Sequence, residues 1–264
     1  MTDARHATLS SRDGVLTVTF DRQDKLNAIS PQMTELLWEA LRALAANEDL
    51  RVLVIRALGP YFTAGIDITH IDISDRTPSQ YRRDYLEHTR LYDEFESIDK
   101  PIVLAAQGPC FGAGVEMAVS CDFRFAASAA TFQLPEINLA VIPGSGGISR
   151  LTRLVGPQWT KWLAMAAQPI DAARALAIGL VHEVYPAEEL HDRVDVFAKQ
   201  LAGLPREAVG VAKLTVDLCA NTDPASARQV EQLANAVLAF GDEHKRRVAA
   251  FNERSNRRGK MGGS

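Results

Sequence analysis

The segment Pro101-Ile-Val-Leu-Ala-Ala106 carries no polar side chain. A strand that is apolar at every position has to be covered on both faces, as strands in parallel sheets are. Other segments supply partners for it. Val15-Leu-Thr-Val-Thr-Phe20 alternates and is rich in β-branched residues, so it reads as a strand. Ser30-Pro31 follows as a capping serine and a proline at the first helical position. Leu36, Leu37, Ala40, Leu41 and Leu44 then recur at helical spacing, predicting a helix to about Ala46. Arg51-Val-Leu-Val-Ile-Arg56 is a further strand. Strand, helix, strand in this order implies parallel pairing. A short apolar helix over Val115 to Ser120 and a strand over Cys121 to Ala127 follow. Beyond Ser145 the pattern is mostly helical, clearest in Ala173 to Gly179 and Ala225 to Phe251. The class is α/β, with a helical C-terminal region.

The chain has 264 residues, 47% of them hydrophobic and 23% charged, the composition of a globular protein. At this length it buries about three quarters of its unfolded surface and needs no disulfide or metal staples. The 33 acidic and 29 basic residues leave a net charge of −4, which speaks against a nucleic-acid partner. Cys110, Cys121 and Cys219 form no close pair, and the six histidines are scattered, so neither a disulfide framework nor a metal site is expected. The polar first ten residues are unlike a secretory signal. No apolar run reaches the roughly 18 residues of a membrane helix. These features predict a reducing compartment, most simply the cytoplasm, and no membrane partner.

The segment Ile68 to Lys100 is more charged. Thr77-Pro78-Ser79 starts a helix on which Tyr81, Tyr85, His88, Tyr92 and Phe95 mark one face. That stripe reads as core packing in preference to a binding role, and the polar stretch before it as a flap over a site.

Two carboxylates stand alone in apolar surroundings. Glu116 is the one carboxylate between Lys100 and Asp122, and Glu136 the one charge between Arg124 and Arg150. Burial raises a carboxyl pKa toward the range useful for proton transfer. Together they resemble an acid/base pair, although Glu116 also suits the first turn of a helix and Glu136 an exposed turn. Glycine turns at Tyr61–Asp67 and at Gly112-Ala113-Gly114 each follow a strand. Amides at such turns can point at an anion, and two on one oxygen make an oxyanion hole. The glycines at 108, 112 and 114 do not complete GxGxxG, and Gly144-Ser-Gly-Gly147 is neither a P-loop nor a nucleophile elbow.

Taken together these segments resemble the enoyl-CoA hydratase/isomerase (crotonase) family. The residues that carry the resemblance are Asp21-Arg-Gln-Asp-Lys-Leu-Asn-Ala28, Phe62-Thr-Ala-Gly-Ile-Asp-Ile68, Gly108 to Asp122, and Phe132 to Gly147. The resemblance implies a spiral of ββα units over 1–200 and a helical region over 201–264 that packs into a homotrimer or a dimer of trimers. It implies an acyl-CoA thioester as substrate and no cofactor, coenzyme A being part of the substrate. The thioester oxygen would be held by the amides of Ala64 and Ala113. Asn27, Ala28, Ala64, Gly65, Ile66, Asp67, Ile68, Gly112, Pro143 and Gly144 would line the coenzyme A and the acyl group.

Both acidic positions that hydratases use carry glutamate here, and Pro143-Gly144 matches the hydratase pattern. The implied reaction is therefore addition of water to a trans-2-enoyl-CoA, giving a 3-hydroxyacyl-CoA, with a place in fatty acid metabolism such as β-oxidation. The alternatives are an enoyl-CoA isomerase or a thioester hydrolase on the same scaffold and, outside enzymes, an RNA-binding relative. Arg246, Arg247, Arg254, Arg257, Arg258 and Lys260 make the C-terminus basic. They read as a solvated helix end, with contact to coenzyme A phosphates as the sharper alternative.

Overall fold

The computed structural model describes residues 6–70 and 74–261, with side chains at all of these except 84, 87, 88 and 254–261. His88, Arg254, Arg257, Arg258 and Lys260 therefore lie outside the described side chains. The chain divides into two compact units, the first ending at Gly203 and the second beginning at Leu204.

The first unit opens with a hairpin of β1 (Ala7–Arg12) and β2 (Val15–Phe20). Its turn is Asp13-Gly14, both at positive φ (52° and 81°), the backbone a two-residue hairpin demands. α1 (Pro31–Ala46) starts where Ser30 accepts the Met33 amide, and it buries Met33, Leu36, Leu37, Ala40, Leu41 and Leu44. β3 (Val52–Ala57) then pairs parallel to β2, confirming the strand–helix–strand expectation. α2 (Pro78–Ser97) begins with a capping box between Thr77 and Gln80. β4 (Ile102–Ala106) is parallel to β3 and wholly buried.

The doubly apolar strands have a visible cause. Leu53, Ile55, Ile102, Leu104 and Ala106 join the α1 side chains in one core. Val52, Val54, Val103 and Ala105 pack with Leu190, Val194 and Ala198 in another.

From β4 onward the chain alternates between two sheets. β5 (Cys110–Phe111) leads into α3 (Ala113–Val119); β6 (Phe123–Ala127) leads into β7 (Thr131–Gln133). α4 (Gly147–Ala164) breaks its helical path at Gly156, whose φ is 82°. β8 (Ile170–Asp171), α5 (Ala172–Ala177), β9 (Glu183–Tyr185) and α6 (Ala187–Ala202) complete the unit. The large sheet runs β1-β2-β3-β4-β6-β9 and the small one β5-β7-β8. Parallel bridges Ile29–Ile66 and Thr63–Cys110 continue the small sheet's stacking back toward the N-terminus. Each turn of the chain thus visits one sheet, then the other, then a helix, which is the expected spiral. The second unit holds α7 (Arg206–Cys219), α8 (Pro224–Phe240) and α9 (Asp242–Met261), with Asp223 capping α8.

Candidate active site

The site is built where the chain leaves the small sheet on three successive turns of the spiral. After β3, Thr63 donates its hydroxyl to Asn27 O at 2.7 Å and pins the turn that carries Gly65. This turn lies against the next one. A Cβ on Gly65 would sit 3.1 Å from Phe111 O and 3.7 Å from Ala113 N. The second turn is Gly112, with φ 52° and ψ −121°, a conformation that glycine alone adopts freely. It opens α3 and leaves the Ala113 amide without an acceptor among the described residues.

Glu116 lies one helical turn beyond Ala113, on the same face. It is only 3% exposed. Its Oε1 accepts the Ser145 amide at 2.8 Å and the Gly147 amide at 3.3 Å. Burial pushes its pKa up, against the pull of these two amides and of the Arg150 guanidinium. Glu136 opens a 3-10 turn, Glu136–Leu139, after β7. A Cβ on Gly112 would lie 2.9 Å from its Oε1, so its carboxyl rests on the turn that opens α3. Its Oε2 is buried with no hydrogen-bond partner among the described residues. Burial, then the nearby Glu116 charge, push its pKa up to about 7. The structure thus brings Glu116, Glu136, Gly112 and Ala113 to one place.

The loop that serves Glu116 is braced from beneath. Arg150 donates to Ser145 O at 3.0 Å, to Glu96 at 2.8 Å and 2.7 Å, and to Asp93 at 2.6 Å. Pro143 is buried, and Gly144 faces Tyr85, whose Oη would be 3.2 Å from a Cβ on Gly144.

One expectation needs correction. The Ala64 amide donates to Leu26 O at 3.0 Å, so its proton is already committed. The amide two residues on, Ile66, has no acceptor among the described residues: the parallel bridge uses Gly65 O and Asp67 N and leaves Ile66 N outside it. Ile66 N and Ala113 N are thus amides on two adjoining turns with no acceptor among the described residues. Asn27, expected to line the coenzyme A, is buried. Both of its side-chain N–H groups go to Leu58 O and Tyr61 O at 2.8 Å, and its Oδ1 accepts Arg22 N at 2.7 Å. Its side chain is a brace between loops and offers no donor to a ligand.

The remaining lining residues have mixed roles. Asp67 is buried in an ion pair with Arg22 at 2.6 Å and accepts the Thr69 hydroxyl at 2.6 Å; these contacts hold its carboxyl well below the usual range. Arg22 also donates to Ala28 O at 3.0 Å, joining the 21–28 and 63–68 segments. Ile68 is exposed. The aromatic stripe of α2 splits. Tyr92 and Phe95 are core, with Tyr92 donating to Ala113 O at 3.2 Å, whereas Tyr85 stands at the site. Tyr85, Ser145, Arg150 and Ile66 are the site residues that motif reading missed or placed elsewhere. Arg247 of the basic tail pairs with Glu243, one turn back on α9. Among the described residues no three His, Cys, Asp or Glu side chains are grouped to hold a metal.

Such an arrangement, two unbonded amides beside two carboxyls of raised pKa, can hold a developing oxyanion while moving protons. The chain belongs to the enoyl-CoA hydratase/isomerase family, whose profile matches residues 10–258. It is 34% identical over 92% of its length to a probable mitochondrial enoyl-CoA hydratase 2 of Arabidopsis thaliana, covering 81% of that protein. It is 30% identical to the crotonyl-CoA hydratase of Syntrophomonas wolfei, covering 93% of this chain and 94% of that one. Among solved structures, the enoyl-CoA hydratase of Bacillus anthracis superposes with a TM-score of 0.87 at 27% identity, covering 94% of this chain and 96% of that one. No described helix is long and apolar enough to cross a membrane.

Proposed function

We propose that this chain is a lyase that adds water reversibly across the 2,3 double bond of a trans-2-enoyl-CoA. The observation that carries this reading is the unequal surroundings of the two glutamates. The anion of Glu116 is supported by two amides and Arg150, whereas Glu136 has a buried oxygen with no partner among the described residues and a pKa near 7. Of the two, Glu116 has the better-supported anion and is the one assigned to act ionised, with Glu136 acting protonated. Ionised Glu116 then takes a proton from water as the water oxygen bonds to C3. Protonated Glu136 gives its proton to C2. Negative charge passing through the thioester oxygen meets the amides of Ile66 and Ala113, donors fixed before the reaction begins. Atoms balance as enoyl thioester plus water, and dehydration runs the steps backward. The chemistry uses no metal or redox group.

Oligomeric state belongs to the same reading. Leu233, Val237 and Phe240 lie along one side of α8 and are 71%, 74% and 79% exposed. An apolar row of this kind supports a homotrimer or a dimer of trimers, in which it would be covered. Cys110, Cys121 and Cys219 form no disulfide among the described residues, which suits a reducing compartment such as the cytoplasm.

The test is purified protein with trans-2-butenoyl-CoA, following the conjugated thioester absorbance and the product mass. A gain of one water is expected. Glu116→Gln and Glu136→Gln should each lower kcat by about 10²–10⁴, and the double variant by little more than either. Full activity in either variant refutes the assignment. A shifted double bond or free coenzyme A in place of hydration replaces the reaction with isomerisation or hydrolysis.

A further inference from the structure

Short contacts order the site from one end to the other. The Gly65 turn touches Ala113 N, the Gly112 turn touches Glu136, and Gly147 lies against Glu116, a Cβ there being 2.9 Å from Oε1. Ser145 N bonds the same oxygen at 2.8 Å. Gly144, the residue before Ser145, is pressed against Tyr85: a Cβ on it would meet Cε1 at 2.9 Å, Oη at 3.2 Å and Cζ at 3.3 Å. Even a methyl group does not fit between Gly144 and that ring. The Tyr85 phenol feels both glutamate charges. Tyr81 packs on it with ring centroids 5.5 Å apart, which helps to fix the ring.

Laid along this order, a thioester has C1 at the Ile66 and Ala113 amides and C2 and C3 at the carboxylates. The next group that the acyl chain meets is Tyr85. We propose that Tyr85 closes the acyl end of the site, so that the substrate is a short trans-2-enoyl-CoA with an acyl group of about four carbons. This rests on the hydratase reading above. A longer alkyl chain has to displace a ring packed between Gly144 and Tyr81, or bury its methylenes against a phenol hydroxyl that then loses water. Burial and the neighbouring Glu116 push the Tyr85 pKa up, so the phenol stays neutral and presents the same wall across the working pH range.

The experiment compares kcat/KM for trans-2-butenoyl-CoA and trans-2-decenoyl-CoA in wild type, Tyr85→Phe, Tyr85→Leu and Tyr85→Ala. The ratio is the readout, since general damage to the fold lowers both numbers alike. Wild type should favour the short substrate by at least about tenfold, within the range a misfitting methylene produces. Tyr85→Phe keeps the ring and should keep the ratio. Tyr85→Ala and Tyr85→Leu should lower it at least about tenfold, and Tyr85→Leu carries the test if Tyr85→Ala does not fold. Wild type that hydrates decenoyl-CoA as well as butenoyl-CoA overturns the assignment. So does an unchanged ratio in both shortened variants. In either case hydration itself still stands. Wild type that hydrates neither substrate removes the hydratase reading, and this inference with it.

Discussion

Relative to wild type, Glu136→Gln should gain stability as the pH rises, while its kcat falls. Raising the carboxyl from 4.5 to about 7 disfavours its ionised form by about 3 kcal/mol, at roughly 1.36 kcal/mol per pH unit. Solvent reaching this partly buried group reduces the figure to about 1–2 kcal/mol. Below pH 4.5 the group is protonated folded and unfolded, and the cost is absent. Between 4.5 and 7 the folded state binds more protons, so stability falls as pH rises. Above 7 the full cost is present. Glutamine carries no charge at any pH, so the variant escapes that loss. Its amide, set where Oε2 has no partner among the described residues, adds a penalty of about 1–3 kcal/mol that is the same at every pH. The measured quantity is therefore the change in Tm difference, variant minus wild type, between pH 5 and pH 8.5. It should move in favour of the variant by about 2–8 °C, taking about 2–4 °C per kcal/mol for a domain of this size. A difference that is flat with pH, or that moves against the variant at pH 8.5, refutes the reasoning that burial keeps Glu136 protonated.

Other perturbations test the frame around the carboxylates. Arg22→Ala leaves the buried Asp67 carboxylate without its guanidinium and should cost about 3–5 kcal/mol in urea unfolding. Because the Asp67 pKa is lowered in the folded state, its stabilisation is present above the ordinary carboxylate range and is lost as the pH falls; Arg22→Ala should flatten that acid limb. A variant as stable as wild type at pH 7 would show that the pair contributes nothing. Gly112→Ala forces an alanine into φ 52° and its Cβ to 2.9 Å from Glu136 Oε1. It should cost about 1–3 kcal/mol and lower kcat by more than that strain alone, because the displaced group is the proposed proton donor; an unchanged kcat in folded protein would place Glu136 away from the reacting atoms.

Much of the large sheet was legible in the sequence because its strands are long and their periodicity is plain. β2, β3 and β4 and the caps Ser30-Pro31 and Thr77-Pro78 sit where the pattern puts them. The small sheet was not legible, since β5 and β8 are two residues long and carry no period at all. The strand expected from Cys121 begins at Phe123; Asp122 is spent instead on accepting Ile102 N at 2.7 Å. In the site, the two glutamates stood out because each is the only charge in its apolar run. The choice between Ala64 and Ile66 as donor could not be read, because it depends on Leu26 O, 38 positions away in the chain, taking the Ala64 proton. Tyr85 was hidden for a related reason. On the helix it belongs to the same stripe as Tyr92 and Phe95, and only the tertiary approach of Gly144 separates a lining residue from two core residues.

The two ends of the site are mechanically joined through Arg150. Its guanidinium holds Asp93 and Glu96 at the end of α2 and, through Ser145 O, the loop whose amides hold Glu116. Tyr85 rides on the same helix and packs against Gly144, the residue before that serine. An acyl group that pushes on Tyr85 therefore pushes on the segment that supplies Ser145 N to Glu116. Lengthening that hydrogen bond weakens support for the Glu116 anion and raises its pKa further. Glu116, the proposed base, then becomes harder to ionise. On this geometry an oversized substrate is penalised twice, once in binding at the wall and once in the chemistry at the carboxylate. The second penalty would appear in kcat as well as in KM, as expected where one rigid loop serves both the fit and the proton transfer.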